Sequence, residues 1–234
     1  MKINVFSTPQ EMSNKKIHKD EFSIVIDVLR ATSSIINAFI NGARAVYPAS
    51  DTKEAFALKE EHPELILCGE ENSILIEGFD YDNSPLNFNS NSYIAGRELV
   101  FKTTNGTNAM LACKTDMVAI CATLNVDAVS QKAKEYGHDI NIVMAGTKGR
   151  FSLDDALVAG ALVYALKDYA ETDDLGLICR NYYDEYKDDL KAGMENCAHC
   201  QNLLELGFQK DVEFCALANK TKLVPMLKDG KISL

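Results

Sequence analysis

The sequence predicts an α/β fold whose largely parallel or mixed sheet is flanked by helices and carries an active site at the carboxyl ends of its strands. Short apolar runs of strand length alternate with segments whose apolar residues recur at helical spacing, which is typical of parallel sheets. At 234 residues and 47% hydrophobic composition, the chain can bury a sizeable core. We predict a single domain over residues 1–234, with a change in sequence character, and so a possible subdomain, after about residue 172.

Strands are predicted from short apolar runs bounded by turn residues. The run Ile24-Val25-Ile26 is the clearest, because it is uninterrupted and ends at the polar cluster that begins with Asp27. In chain order the predicted strands are residues 3–6, 24–26, 44–47, 65–68, 99–101, 117–121 and 140–145, with 212–217 and 223–227 as two further candidates.

Helices are predicted from apolar spacing and from start and stop signals. Asn41-Gly42 and Gly137 are stop signals, because these residues tolerate the left-handed conformation that ends many helices. Capping boxes are predicted to begin at Asp51 and at Ser152. The predicted helices are residues 35–40, 52–61, 109–112, 126–136, 155–169, 182–191 and 196–206, and residues 8–20 form a loop or a short helix.

Residues 71–96 differ in composition from the segments on either side. This stretch is rich in asparagine, with Asn72, Asn83, Asn87, Asn89 and Asn91, and it also contains several serines. Long ordered loops in compact domains are often functional. We therefore predict a long polar loop that contributes to the site.

The composition excludes several classes of partner. A net charge of −10 argues against nucleic acid, which requires a basic face, and no apolar run is long enough to span a membrane. The N-terminus lacks the apolar core of a signal peptide, and the odd number of cysteines, seven, is more typical of free thiols in a cytosolic chain. We expect a cytoplasmic protein that acts on a small anionic molecule, and whether it forms a homo-oligomer stays open.

Polar clusters follow four of the predicted strands. They occupy residues 27–34, 69–70, 103–107 and 146–155. In an open α/β sheet, ligands bind at the carboxyl ends of the strands, which share one edge where the strands are parallel. The four clusters are therefore expected to meet in one pocket.

The chemistry of these clusters points to a divalent metal beside an oxyanion. Asp27, Glu70 and Asp155 are hard oxygen donors that suit Mg²⁺ better than zinc. Arg30 and Arg150 can each hold a phosphate or sulfonate through two hydrogen bonds, so we assign catalytic roles to them and to Asp27. Further substrate-binding groups from the clusters are Thr32, Ser33, Thr103, Thr104, Asn105, Gly106, Thr107, Gly146 and Thr147. A metal next to an oxyanion most often means phosphoryl chemistry.

Other interpretations of single residues stay open. Asp155 is also the residue that a capping box would use, and Arg150 fits a solvated loop. Cys197 and Cys200 form a C-x-x-C pair that could be redox-active or half of a zinc site, but structural thiols are favoured because no second pair lies nearby. None of the four histidines is placed by the sequence like a catalytic base.

Four motifs together resemble a known family. The segments IDVLRATSS, GFDYDNSP, TTNGT and AGTKGRFSLDDALVAG are similar, in order, to signatures of the 2-phosphosulfolactate phosphatase family, enzymes of coenzyme M biosynthesis. The resemblance implies Mg²⁺-dependent hydrolysis of (R)-2-phospho-3-sulfolactate to 3-sulfolactate and phosphate. It also implies site roles for the motif residues, which add Asn83 and Ser84 to the substrate-binding groups.

Two departures from the family pattern leave alternatives. Glu71 stands where the family often has arginine, and Asp82 where it often has glycine, so a phosphatase for another small phosphorylated carboxylic acid is the alternative, followed by a non-catalytic anion-binding module. The chain also lacks the Asp-x-Asp pair and the Cys-x5-Arg loop of two phosphatase classes that form phosphoenzymes. We therefore expect attack by a metal-oriented water rather than by Asp27.

Overall fold

A computed structural model describes residues 1–90 and 92–234 of the chain, so Asn91 of the predicted polar loop lies outside the described residues. The predicted fold class is confirmed, because the structure is a mixed α/β fold with a large, mostly parallel sheet flanked by helices. The strands are β1 (Lys2–Phe6), β2 (Phe22–Ile26), β3 (Ala45–Pro48), β4 (Ile66–Glu71), β5 (Ile74–Leu75), β6 (Glu98–Lys102), β7 (Met117–Cys121), β8 (Ile140–Met144), β9 (Glu171–Thr172), β10 (Met226–Lys228) and β11 (Lys231–Ser233).

Helices fill the connections between these strands. They are α1 (Pro9–Ser13), α2 (Ala31–Ile40), α3 (Thr52–Glu61), α4 (Gly106–Ala112), α5 (Val126–Tyr136), α6 (Leu153–Leu166), α7 (Asp174–Tyr186), α8 (Leu190–Glu195), α9 (Ala198–Glu205) and α10 (Gln209–Cys215). Two predicted signals are confirmed. Gly137 ends α5 with φ 77°, and the side chain of Asp51 caps α3 by accepting from the N–H of Glu54 at 2.9 Å.

The sheet consists of two sets of parallel strands joined by a hairpin. Its order is β5-β4-β6-β3-β11-β10-β7-β2-β8-β1-β9. Strands β4, β6 and β3 are parallel, as are β7, β2, β8, β1 and β9. The three pairings between the sets, which involve β10 and β11, are all antiparallel. Because three antiparallel pairings separate the two sets, the strands of one set run in the opposite direction to those of the other.

The largest hydrophobic core extends over both strand sets, and a smaller cluster packs at the shorter set. All five residues of β2 are buried, as expected for a strand covered on both faces. Each fully buried aliphatic side chain, such as Ile24, contributes about 1.5–3 kcal/mol relative to exposure. Helix α2 is buried along nine of its ten residues, which explains why its apolar spacing is dense rather than confined to one stripe.

The predicted helix 182–191 is divided between α7 and α8, and two strand predictions for the C-terminal region also need correction. Residues 212–217, a candidate strand, lie mostly in helix α10, whose buried Asp211, Val212 and Cys215 share one helix face. Of the candidate strand 223–227, only the end is in β10, because Pro225 precedes it and has no N–H to donate. Helices α8, α9 and α10, here called the C-terminal helices, pack together and reach α6 and the 3-10 turn Pro85–Phe88.

No helix within the described ranges is long and apolar enough to cross a membrane. The seven cysteines are all free thiols.

Candidate active site

A cavity of about 440 Å³ lies where the two strand sets and the C-terminal helices meet; we call it the main cavity. Seven predicted site residues line it: Asp27, Arg30, Glu70, Asn83, Thr104, Asn105 and Thr147. Helix α9 and Leu206, which directly follows it, contribute a wall of Ala198, His199, Asn202, Leu203 and Leu206. The predicted meeting of strand ends is thus found, although the strands that supply it belong to sets of opposite sense.

Asp27 follows the buried strand β2 and is itself buried. Its Oδ1 accepts a hydrogen bond from the N–H of Ala31 at 3.4 Å. Only a glycine fits at position 106, because a Cβ there would lie 2.7 Å from Oδ2 of Asp27. Burial raises the pKa of Asp27 to about 7, with further increases from Asp154 and Glu70 and an opposing effect of His199. His199 therefore offsets only part of the cost of ionising Asp27 in this buried position.

Glu70 connects the ends of β4 and β6. Its two carboxylate oxygens accept the N–H of Thr104 at 2.7 Å and the N–H of Ser73 at 2.6 Å. These bonds fix the carboxylate at the cavity wall, where its charge also raises the pKa of Asp27. The two acids consequently repel each other across the cavity.

Two buried oxygen atoms of the main cavity have no hydrogen-bond partner within residues 1–90 and 92–234. They are Oδ1 of Asn83 and Oγ1 of Thr104, and just two other buried side-chain atoms in the same residues share this condition. Buried polar atoms without partners are rare, and a catalytic role or a bound water or ion is among the explanations for them. Their place beside Asp27 and Glu70 indicates that a polar species belongs in this cavity.

These four oxygen-bearing side chains fit Mg²⁺ in their chemistry. Mg²⁺ prefers oxygen ligands, keeps several waters and is usually bound through one or two carboxylates together with substrate phosphate. The described residues contain no group of three or more His, Cys, Asp or Glu side chains arranged to hold a metal ion. A metal held by two carboxylates is compatible with that finding, whereas a zinc site at Cys197 and Cys200 is not supported.

Asp155 occupies a different place from the other two predicted metal ligands. Its Oδ1 accepts the N–H of Val28 and its Oδ2 accepts the N–H of Gly146, both at 3.0 Å. It thereby ties the end of β2 to the end of β8 and does not line the main cavity. The capping box is not formed, because Ser152 makes no capping bond with its side chain. The metal role of Asp155 stays a prediction.

Arg30 lines the main cavity, but its charge is already paired. Its Nη1 lies 2.5 Å from Oδ2 of Asp211, its guanidinium stacks 4.0 Å above the ring of Phe208, and the side chain is almost completely buried. Ser84 completes this arrangement by donating to the other oxygen of Asp211 at 2.8 Å. Contact between Arg30 and a substrate stays a prediction, and sequence reasoning missed Asp211.

Several predicted substrate-binding hydroxyls shape the loops instead of lining the cavity. Thr32 and Ser33 donate to the carbonyl oxygens of Asp27 and Val28 at 2.9 and 2.8 Å. Thr107 donates to the carbonyl oxygen of Thr103 at 2.9 Å and does not line the main cavity. Gly146, with φ 66°, provides the turn that brings Thr147 to the cavity. These groups position the strand-end loops through local bonds.

His199 is the residue that sequence reasoning missed most clearly. It lines the main cavity from α9, and its Nδ1 lies 3.5 Å from Oδ2 of the buried Asp154. Burial would lower the pKa of His199, but Asp154, Asp27 and Glu70 together raise it. Burial likewise opposes the charge of Asp154, yet bonds from His199 and Ser152 lower its pKa. A cation-forming imidazole thus stands opposite the carboxylates.

The sequence offered one weak signal for this pair. Asp154 and Asp155 are adjacent in one motif, and side chains at adjacent helix positions point about 100° apart. The two carboxylates therefore face different groups, so Asp154 needed a partner of its own. Cys197 donates to Asp154 at 3.3 Å, and Cys200 is buried, as the structural interpretation of these thiols expects.

This chain is similar to known proteins over almost its whole length. A family model described as 2-phosphosulpholactate phosphatase matches residues 6–230. A protein of Caldanaerobacter subterraneus named probable 2-phosphosulfolactate phosphatase is 38% identical and covers 98% of this chain and 97% of its own length. Proteins with the same name from Clostridium acetobutylicum, 35% identical over 99% of this chain and 100% of the relative, and from Thermotoga petrophila, 40% identical over 89% of both, are also similar.

Proposed function

The chain belongs to the 2-phosphosulpholactate phosphatase family, and from this we propose that it is a Mg²⁺-dependent phosphatase that hydrolyses (R)-2-phospho-3-sulfolactate to 3-sulfolactate and phosphate. The resemblance seen in the four motifs is confirmed as family membership, and the family consists of phosphoric monoester hydrolases. The free state of all seven cysteines supports a reducing compartment, for which we propose the cytoplasm.

One observation favours a metal-dependent phosphatase over a simple anion-binding module. Two buried carboxylates, Asp27 and Glu70, face a cavity that also holds the unpaired oxygens of Asn83 and Thr104. The two carboxylates would repel an anion bound alone, whereas the Thr104 hydroxyl and the Asn83 amide can accept from a ligand or donate to it. A bound divalent cation turns the same groups into ligands.

We assign each residue of the main cavity a role from its chemistry and its position. Asp27 and Glu70 would hold the metal, which when bound would offset phosphate charge and activate a water molecule. Asn105 and Thr147 line the same cavity and can orient the phosphate. His199, held by Asp154 behind it, is placed to donate a proton to the ester oxygen of the departing sulfolactate.

Attack by water, rather than by Asp27, remains our proposal for the first step. Asp27 is fixed between Ala31 and Gly106, which suits a ligand as well as a nucleophile. The two routes differ at a chirally labelled phosphorus, because direct attack by water inverts its configuration, while an aspartyl-phosphate intermediate retains it. We expect inversion.

A specific observation favours the second candidate, a phosphatase for a less highly charged phosphorylated carboxylic acid. Arg30 is neutralised by Asp211, and Asp82, at a position where the family often has glycine, approaches Arg30 to 4.0 Å. Fewer free cations in the main cavity weaken the binding of an ester that carries a phosphate, a carboxylate and a sulfonate. A panel comparing phosphosulfolactate with phospholactate and phosphoglycolate separates the two candidates by kcat/KM.

Metal removal tests the function itself. Protein treated with EDTA and desalted should lose at least about 100-fold in phosphate release from phosphosulfolactate, the size of a major electrostatic contribution. Added Mg²⁺ should restore the rate. Glu70→Gln should raise the Mg²⁺ concentration needed for half-maximal rate, while Asp116→Asn, at an exposed position just before β7, is the matched control. Full activity in the metal-free protein would refute the metal role.

A further inference from the structure

A second cavity, of about 520 Å³, adjoins the main cavity; we call it the side cavity. Thr147, Lys148, Ala198 and His199 line both cavities, so they form the boundary between them. The side cavity continues from this boundary toward Arg150 and the exposed ring of Phe151. A small molecule bound at the boundary could therefore reach into both.

The two cavities differ in charge. The main cavity contains Asp27 and Glu70, and its arginine is paired. The side cavity has no Asp or Glu in its lining and contains Lys148 and Arg150. Neither of these cations has an ion pair or a side-chain hydrogen bond to any residue in 1–90 or 92–234. Because Lys148 lines both cavities, Arg150 is the unpaired cation that belongs to the side cavity alone.

A rigid turn presents both cations. Thr147 and Arg150 exchange two backbone hydrogen bonds, at 2.8 and 3.1 Å, around Lys148 and Gly149. Both central residues have positive φ, 52° and 73°, as in the type I′ turn. Lysine in the left-handed region costs about 1–2 kcal/mol, so glycine would be the more stable choice there. The N–H of Lys148 is held by Oδ1 of Asn105 at 3.1 Å, which fixes the turn to the main cavity.

Two helices also begin at the side cavity. Ser152 and Leu153 belong to the start of the 14-residue α6, and Cys197 and Ala198 to the start of α9. The positive ends of helix dipoles favour negative charge. At α6 the buried Asp154 and Asp155 already occupy the first turn, so the two unpaired cationic side chains, rather than that dipole, make the side cavity suited to an anion.

We propose that the substrate spans both cavities, with its phosphate in the main cavity and its sulfonate in the side cavity, bound by Arg150 and Lys148. This inference rests on the proposed function. Three sulfonate oxygens can accept two parallel bonds from a guanidinium and a third from an ammonium group. Placing the two acid groups in separate cavities also keeps the sulfonate away from Asp27 and Glu70.

Kinetics with truncated substrates test the proposal. We compare kcat/KM for phosphosulfolactate, for phospholactate, which lacks the sulfonate, and for O-phospho-isethionate, which lacks the carboxylate. Arg150→Ala should reduce the preference for phosphosulfolactate over phospholactate about 10- to 100-fold, the equivalent of one charge-assisted contact. Arg150→Lys should recover only part of it, because lysine does not form the two-pronged contact. Lys222→Ala, an exposed lysine in a different groove, should leave the preference unchanged.

Each other outcome has a defined meaning. An equal loss for both substrates in Arg150→Ala would overturn the proposal, and a loss of preference against phospho-isethionate instead would assign the side cavity to the carboxylate. Should the wild type hydrolyse none of the three esters, the proposed function fails, and calorimetric binding of 3-sulfolactate decides the subsite. Binding that Arg150→Ala abolishes and Lys222→Ala retains would support the sulfonate site, and absence of binding to the wild type would refute it.

Discussion

The strand-end loops and the C-terminal helices build the same cavity in different ways. In the loops, polar groups are held by nearby backbone: Thr32 by Asp27, and Thr107 by Thr103. In the helices, single side chains reach far along the chain, as Asp211 does to Arg30, 181 residues away. Local bonds shape the carboxylate side of the site in advance, and the helices complete it with an imidazole and an apolar wall. The predictions below separate these two contributions.

The largest effect is expected on the loop side. Asp27→Asn keeps the shape of the side chain and removes a charged metal ligand, so kcat/KM should fall by about 10³-fold or more, typical of losing a principal electrostatic group. The measurement is phosphate release over a range of Mg²⁺ concentrations, with Asp116→Asn as the exposed control. A variant with near wild-type kinetics would place the metal elsewhere.

The next effect tests the long-range bond made by the helices. Asp211→Ala leaves the buried guanidinium of Arg30 without a partner and should cost about 3–5 kcal/mol in the free energy of unfolding. Urea denaturation measures it. The double variant Arg30→Met with Asp211→Leu should recover most of this stability, because replacing both ions removes the unpaired charge.

This double variant also decides the role of Arg30. If Arg30 only anchors the helices, the refolded double variant should retain kcat/KM, whereas a role at the substrate predicts a loss despite restored stability. A double variant as unstable as Asp211→Ala would mean that packing at this position, rather than charge, dominates.

His199 gives the direct comparison between the two walls. His199→Gln should reduce kcat about 10²-fold for phosphosulfolactate, the lower end for loss of a general acid. With p-nitrophenyl phosphate the loss should be much smaller, because its leaving group needs no proton. Asp154→Asn should show the same pattern with a smaller amplitude, since it acts through His199. Equal losses on both substrates would indicate that His199 binds phosphate instead.

The smallest effect concerns pH and the metal-free protein. Asp27 has a folded pKa of about 7 against 3.8 when exposed, so the folded state holds its proton more tightly. The stability from this proton is complete below about pH 4 and is lost as pH rises through 7. Between pH 5.5 and 8 the wild type should lose roughly 2 kcal/mol more than Asp27→Asn. Urea titrations of both proteins in EDTA measure the difference, and parallel slopes would contradict it.

The sequence by itself determined the fold class, most helix and strand positions and seven of the residues that line the main cavity. Asp27, Glu70, Thr104 and Asn105 were found because a buried strand followed by polar turn residues is a local pattern, visible within a few positions. The same local logic explains the confirmed helix stop at Gly137. Family membership also followed from contiguous motifs.

Tertiary structure alone decided how distant parts meet. The opposite sense of the two strand sets depends on the C-terminal hairpin pairing between them, which no local pattern encodes. The placement of His199 opposite Asp27, and the pairing of Arg30 with Asp211, depend on where α9 and α10 pack. Arg150 lines the side cavity and Arg30 the main cavity, because the tight turn from Thr147 to Arg150 places Arg150 beyond the residues that the two cavities share. Contacts between residues so far apart in sequence follow from the packing of whole elements, and single-residue patterns carry no information about it.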